Sequence, residues 1–99
     1  MQRAIPNDDI SVDCTADGDG WSCRVRVGGD AAATEHTVSV SRDELARYAP
    51  GHADPGRLVR ASFQFLLEQE PRESILRRFE LTAIERYFPT YPRDIVSRV

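Results

Sequence analysis

Lysine is missing from this sequence: all thirteen of its cationic side chains are arginine. A surface selected to grip phosphate or carboxylate would favour arginine for its planar fork, but it would also cluster the arginines, and here they are scattered along the chain. The bias is read as that of a GC-rich genome. Long apolar runs are missing too. No stretch approaches the roughly 18 apolar residues of a membrane span. Residues 1–9 hold Pro6 and polar residues but no apolar run of the kind a secretory signal carries. They are read as a flexible leader ahead of a single α+β domain over 10–99, and a cytoplasmic location is expected. Cysteine and histidine number only two each. With no C-x-x-C or H-x-x-H pair, a four-ligand zinc site has no basis. Gly-x-Ser-x-Gly and phosphate-cradling glycine loops are absent as well. No catalytic residue, cofactor or metal is assigned.

What is present belongs to a folded domain. Hydrophobic residues at 40% and charged residues at 29% of the 99 are globular values and not those of a disordered chain. The net charge of −3 weighs against nucleic acid as a partner. Residues 1–40 hold seven acids and three arginines, and residues 41–99 hold nine acids and ten arginines. No large field of one sign results.

The first half alternates with period two. Ile10, Val12 and Cys14 alternate with Ser11 and Asp13, and Trp21, Cys23, Val25 and Val27 alternate with Ser22, Arg24 and Arg26. Each run reads as a half-buried strand, and Asp17-Gly18-Asp19-Gly20 between them reads as a hairpin turn. His36, Val38 and Val40 alternate with Thr37 and Ser39 in a third strand. A three-stranded antiparallel sheet is expected, with strands at about 10–14, 21–27 and 35–40, packed against C-terminal helices at about 42–48, 55–69, 72–78 and 83–88. Ser41 and Glu44 have the spacing of a capping box, as do Thr82 and Glu85. Asp54 and Pro55 start the main helix, and Pro71 disfavours helical geometry at Glu70. In that helix only Arg57, Arg60, Gln64 and Glu68 form a continuous polar stripe, so the helix is expected at the centre of the core. The tail from Tyr91 through Pro92 to Ile95 carries no firm element.

Candidate sites are few. A two-residue Gly18-Asp19 loop, or a four-residue Asp17–Gly20 loop, sets Cys14 opposite Cys23, whereas an Asp17-Gly18 loop sets Cys14 opposite Trp21. In a cytoplasmic protein the expectation is a buried pair of free thiols. Asp17, Asp19 and Gly20 resemble part of a calcium loop, but the twelfth position falls on Arg26 where a bidentate Glu is needed. His36 is read as a core or edge histidine, and His52 as solvated in its Pro-Gly-rich loop. The aromatic and cationic segment at Arg86, Tyr87, Phe88, Tyr91 and Arg93 has the composition of a protein interface, though such a segment also serves to pin a terminus to a core.

Two resemblances add to these readings. Thr37-Val38-Ser39-Val40-Ser41, followed by a capped short helix, a loop and a longer helix, resembles a ribbon-helix-helix unit over residues 37–67. That likeness implies a dimer of paired ribbons with Thr37 and Ser39 facing DNA, in a transcriptional regulator or antitoxin. Trp21-Ser22-Cys23, His36-Thr37-Val38-Ser39-Val40, Leu58-Val59-Arg60-Ala61-Ser62-Phe63, Phe65-Leu66-Leu67-Glu68-Gln69-Glu70-Pro71 and Arg86-Tyr87-Phe88-Pro89-Thr90-Tyr91 resemble a set of small bacterial proteins of unknown function. This second likeness implies a free-standing bacterial domain and no particular activity. The leading expectation is a non-enzymatic domain acting through protein contacts, including self-association. A ribbon-helix-helix-like DNA binder comes second, and a small enzyme whose site shows only in the fold comes third.

Overall fold

The computed structural model describes residues 10–29 and 33–99; the leader read at 1–9 lies outside them. Strand β1 (Ile10–Asp17) turns through Gly18-Asp19 into β2 (Gly20–Val27). Gly18 takes φ 61° at the first loop position, a conformation that glycine adopts without a Cβ clash and that suits a two-residue hairpin loop. Gly20 is needed for a different reason. A Cβ there would come within 2.1 Å of the Val40 carbonyl oxygen, because β3 (Thr34–Ser41) packs close along β2.

The sheet has four strands in the order β1-β2-β3-β4, not the three expected from the sequence. β4 (Arg78–Glu80) pairs parallel with β3, setting Val38 beside Phe79, while the other two pairings are antiparallel. Residues 72–78 therefore do not form a helix. A single 3-10 turn at Arg72–Ser74 is followed by extended chain. The cause is non-local: Thr37 N–H donates to the Arg77 carbonyl at 2.7 Å, and Leu81 N–H donates to the Ser39 carbonyl at 3.1 Å. Those bonds offer the backbone a ladder in place of a short, marginal helix.

Helices α1 (Arg42–Tyr48) and α2 (Pro55–Gln69) occupy the expected residues. The Ser41–Glu44 capping box is formed in both directions, and the Asp54 side chain accepts from Gly56 N–H. α2 packs across β1 and β2, and α1 and α4 (Tyr91–Arg98) pack against it in turn. Its buried residues include Leu58, Val59, Phe63, Phe65 and Leu66, which matches a helix at the centre of the core. The tail that carried no firm sequence signal is α4. It is pinned by Tyr91 and Ile95, both fully buried, and by Arg98, which bonds both Glu68 oxygens at 2.6 and 2.9 Å and Asp94 at 2.8 Å.

The second capping box does not form. Thr82 makes no side-chain cap bond at the start of α3 (Ala83–Tyr87). Glu85 is drawn away by the Tyr48 hydroxyl and the Arg47 guanidinium, while Thr82 N–H donates to Glu44. One carboxylate from α1 thus caps its own helix and also holds the start of α3.

Candidate functional site

The sheet has two unlike faces. Ile10, Cys23, Val25, Val27, Val38 and Val40 point into the core, and the opposite face presents Ser11, Asp13, Arg24, Arg26, Glu35 and Ser39. Thr37 and Ser39, placed against DNA by the ribbon-helix-helix likeness, lie on this outer face. β3 is hydrogen-bonded along both sides, to β2 and to β4. Thr37, Val38 and Ser39 are thus paired on both sides within the chain, whereas that likeness implies a ribbon paired across a dimer.

The cysteines correct a second expectation. The Gly18-Asp19 loop sets Cys14 opposite Cys23, and the two form a disulfide rather than a pair of free thiols. Directly opposed inner-face positions bring the two sulfurs within bonding reach. The bridge staples the hairpin where Trp21 and Cys14 are only half buried. Among the described residues no three His, Cys, Asp or Glu side chains converge on a possible metal position.

Where α2 ends, a groove opens between the end of that helix, the chain from Ser74 to Phe79, and α3. Its volume is about 180 Å³, and its lining is chiefly Leu66, Ile75, Phe79, Ala83, Ile84 and Phe88. Leu76 and Tyr87 stand at its rim, 49% and 66% exposed. Glu70 contributes a carboxylate, and the apolar surroundings push its pKa above the usual value.

The wall of this groove is fastened to the sheet by a buried histidine. His36 Nδ1–H donates to the Leu76 carbonyl at 2.8 Å, which leaves Nε2 to accept from the Thr34 hydroxyl at 2.8 Å. Its ring lies 5.2 Å from that of Phe63. Burial lowers its pKa below 6.5, the Leu76 bond opposes that shift, and the Arg77 charge adds to it. The imidazole is neutral and structural. His52 stays only half buried in its loop.

The structure divides the interface residues proposed from sequence. Arg86 and Tyr87 are exposed on α3, Phe88 is half buried and packs edge-on against Phe65 at 5.8 Å, and Arg93 is exposed on α4. Tyr91 is wholly buried. Its hydroxyl donates to Ser62 Oγ, which in turn donates to the Leu58 carbonyl, and its ring packs on Tyr48 and Phe65. No atom of Tyr91 is free to meet a partner, so it is a core residue and not an interface residue. Conversely, the spacing of Ile75, Leu76 and Phe79 suits one face of a helix, and their convergence with Ala83 on a shared surface arises only once β4 has formed.

A second concavity of about 370 Å³ lies beside the hairpin tip, among Asp17, Asp19, Ser41, Glu44 and Glu80. Glu44 already uses both oxygens, on Ser41 N–H and Thr82 N–H. Trp21 and Ser39 add to the lining, which is mainly carboxylate and hydroxyl in character. No helix among the described residues is long and apolar enough to cross a membrane. Comparison of the chain with known protein families, with characterised proteins and with solved structures produced no match.

Proposed function

We propose that this chain is a non-enzymatic domain that acts through protein contacts, and that the groove beside α3 receives an apolar side chain of the partner. The observation that carries this reading is the match of size and lining. A space of about 180 Å³ is below the roughly 300 Å³ at which small-molecule sites begin. It is close to the roughly 150 Å³ apolar cavity that admits one benzene ring. Apolar walls with an exposed leucine and tyrosine at the rim suit a single anchoring side chain, the pattern of an interaction hot spot. Arg86, beside Tyr87, supplies a polar margin.

The test is to place a photo-crosslinking residue at Tyr87 in cells of the source organism and, separately, at Glu35 on the polar sheet face. A discrete crosslinked polypeptide from position 87 alone, abolished by Ala83→Arg in the groove floor, is expected. Equal labelling from both positions, or none from position 87, would overturn the reading.

A further inference from the structure

The sheet has two edges, and they are unequal. β4 covers three residues and β1 eight. The hairpin fixes which groups of β1 face outward. Asp17 and Gly20 flank a two-residue loop, and such a closing pair exchanges both of its ladder bonds. Counting back from it, the odd-numbered residues of β1 bond to β2, and Ile10, Val12, Cys14 and Ala16 turn their N–H and C=O groups the other way. The Arg60 guanidinium donating to the Ile10 carbonyl agrees with that phase. Among the described residues, Val12, Cys14 and Ala16 have no other partner for these groups. A run of unpaired backbone groups along an eight-residue strand is a template for another strand.

We propose that this edge pairs antiparallel with β1 of a second copy of the chain, centred on Cys14, joining two four-stranded sheets into one of eight strands. The choice of a second copy rests on phase, charge and fit. In an antiparallel pair the outward groups meet only when even-numbered residues face even-numbered residues. Centring on Asp13 then sets the two Asp13 carboxylates against each other, and centring on Thr15 sets Asp13 against the partner's Asp17. Centring on Cys14 sets Asp13 against the partner's Thr15 and Ser11 against the partner's Asp17. That register opposes no two carboxylates, and it overlaps the whole of residues 11–17. On the inner face it sets half-buried Val12 against the partner's Ala16, and Ala16 is an exposed small residue. Gly56 at the start of α2 lies against Val12, so the same pairing brings the start of α2 beneath the partner's Ala16, where a methyl group leaves room.

The experiment is sedimentation equilibrium on the full chain, with three variants. Wild type is expected to be a dimer. Ala16→Pro removes an outward N–H but no bond of the hairpin, so it should keep the wild-type circular dichroism and sediment as a monomer. Thr15→Arg, facing the partner's Asp13 twice per dimer, should tighten association, and Thr15→Asp should weaken it. Each change in Kd is expected at roughly two- to thirtyfold, given two cross-strand pairs. Within one chain Thr15 faces only Ser22, so neither variant alters the monomer's own pairing much. A wild-type monomer up to millimolar concentration overturns the proposal, as does a folded Ala16→Pro variant that dimerises as tightly as wild type. Thr15 variants with equal or inverted effects overturn the register.

Discussion

The two edges of the sheet were made in different ways. β1 is joined to β2 by a two-residue loop, by eight paired positions in register and by the Cys14–Cys23 bridge, all within eighteen residues of sequence. β4 pairs over three positions with a strand about forty residues earlier, and it stays in place through that short ladder, the backbone bonds at Arg77 and Leu81 on either side of it, and the His36 contact to Leu76. Local pairing costs little loop-closure entropy, whereas distant pairing must be repaid by packing. The first edge therefore adds strong local pairing to its packing against α2. The second depends on the core beneath it, and it is there that the apolar groove opens.

The largest expected effect tests that dependence. Phe63 lies under both His36 and Phe79, at 5.2 and 6.1 Å between ring centroids. Phe63→Ala should cost about 3–5 kcal/mol and release β4 first. Hydrogen exchange should then accelerate more at the Leu81 and Thr37 amides than along the β1–β2 ladder. Uniform acceleration would mean that the two edges are not independently held.

Removing the staple probes the other edge. Replacing Cys14 and Cys23 together by alanine should cost about 2–3 kcal/mol, the loop entropy that a bridge across a ten-residue segment removes from the unfolded chain. Denaturant melts of this variant should match those of reduced wild type, with β4 amides least affected relative to the hairpin. A melt unchanged by reductant would show that the pairing alone suffices.

Acid should act on the β4 side in particular. The folded pKa of His36 lies below its unfolded 6.5, so between those two values the unfolded chain binds more protons and the native state is disfavoured. Stability should hold above pH 6.5 and fall as pH drops below it, levelling once the folded imidazole also protonates. Arg77, the charged neighbour, makes that protonation harder. Urea midpoints measured from pH 8 to pH 5 should show the decline, and His36→Gln should flatten it. An unchanged slope in that variant would place the acid sensitivity elsewhere.

The smallest effect is expected on the polar face. Arg26 and Glu35 pair across β2 and β3 at 3.2 Å with both side chains about half exposed, and such pairs contribute about 0–1 kcal/mol and are screened by salt. Arg26→Ala should leave both edges intact and the melt within that range, with the difference vanishing at high salt.

Much of this was legible in residue order, and the particular residues show why. Alternation in Ile10–Cys14 and Trp21–Val27 identified the hairpin and its buried face, since side-chain direction in a strand follows directly from parity. Ser41, Glu44, Asp54 and Pro55 marked where two helices begin, because caps act on amides within three residues of themselves. The same logic failed at Thr82–Glu85, where a spacing that suits a cap is overruled by partners 37 and 38 residues away. It failed again at Ile75–Phe79, whose apolar spacing fits a helix face although β3 recruits the backbone as a strand. Of the interface residues proposed, Tyr91 turned inward because Ser62, Tyr48 and Phe65 together form a pocket for it that no local pattern reveals.

By itself, then, the order of residues determined the hairpin, its inner face and the span of the two main helices, all of which depend on neighbours close in the chain. The fourth strand, the apolar groove and the place of β1 as the long edge unpaired among the described residues were decided by tertiary structure. Each of these depends on which distant backbone or side chain arrives to complete a hydrogen bond or fill a contact, and that is a property of the assembled core.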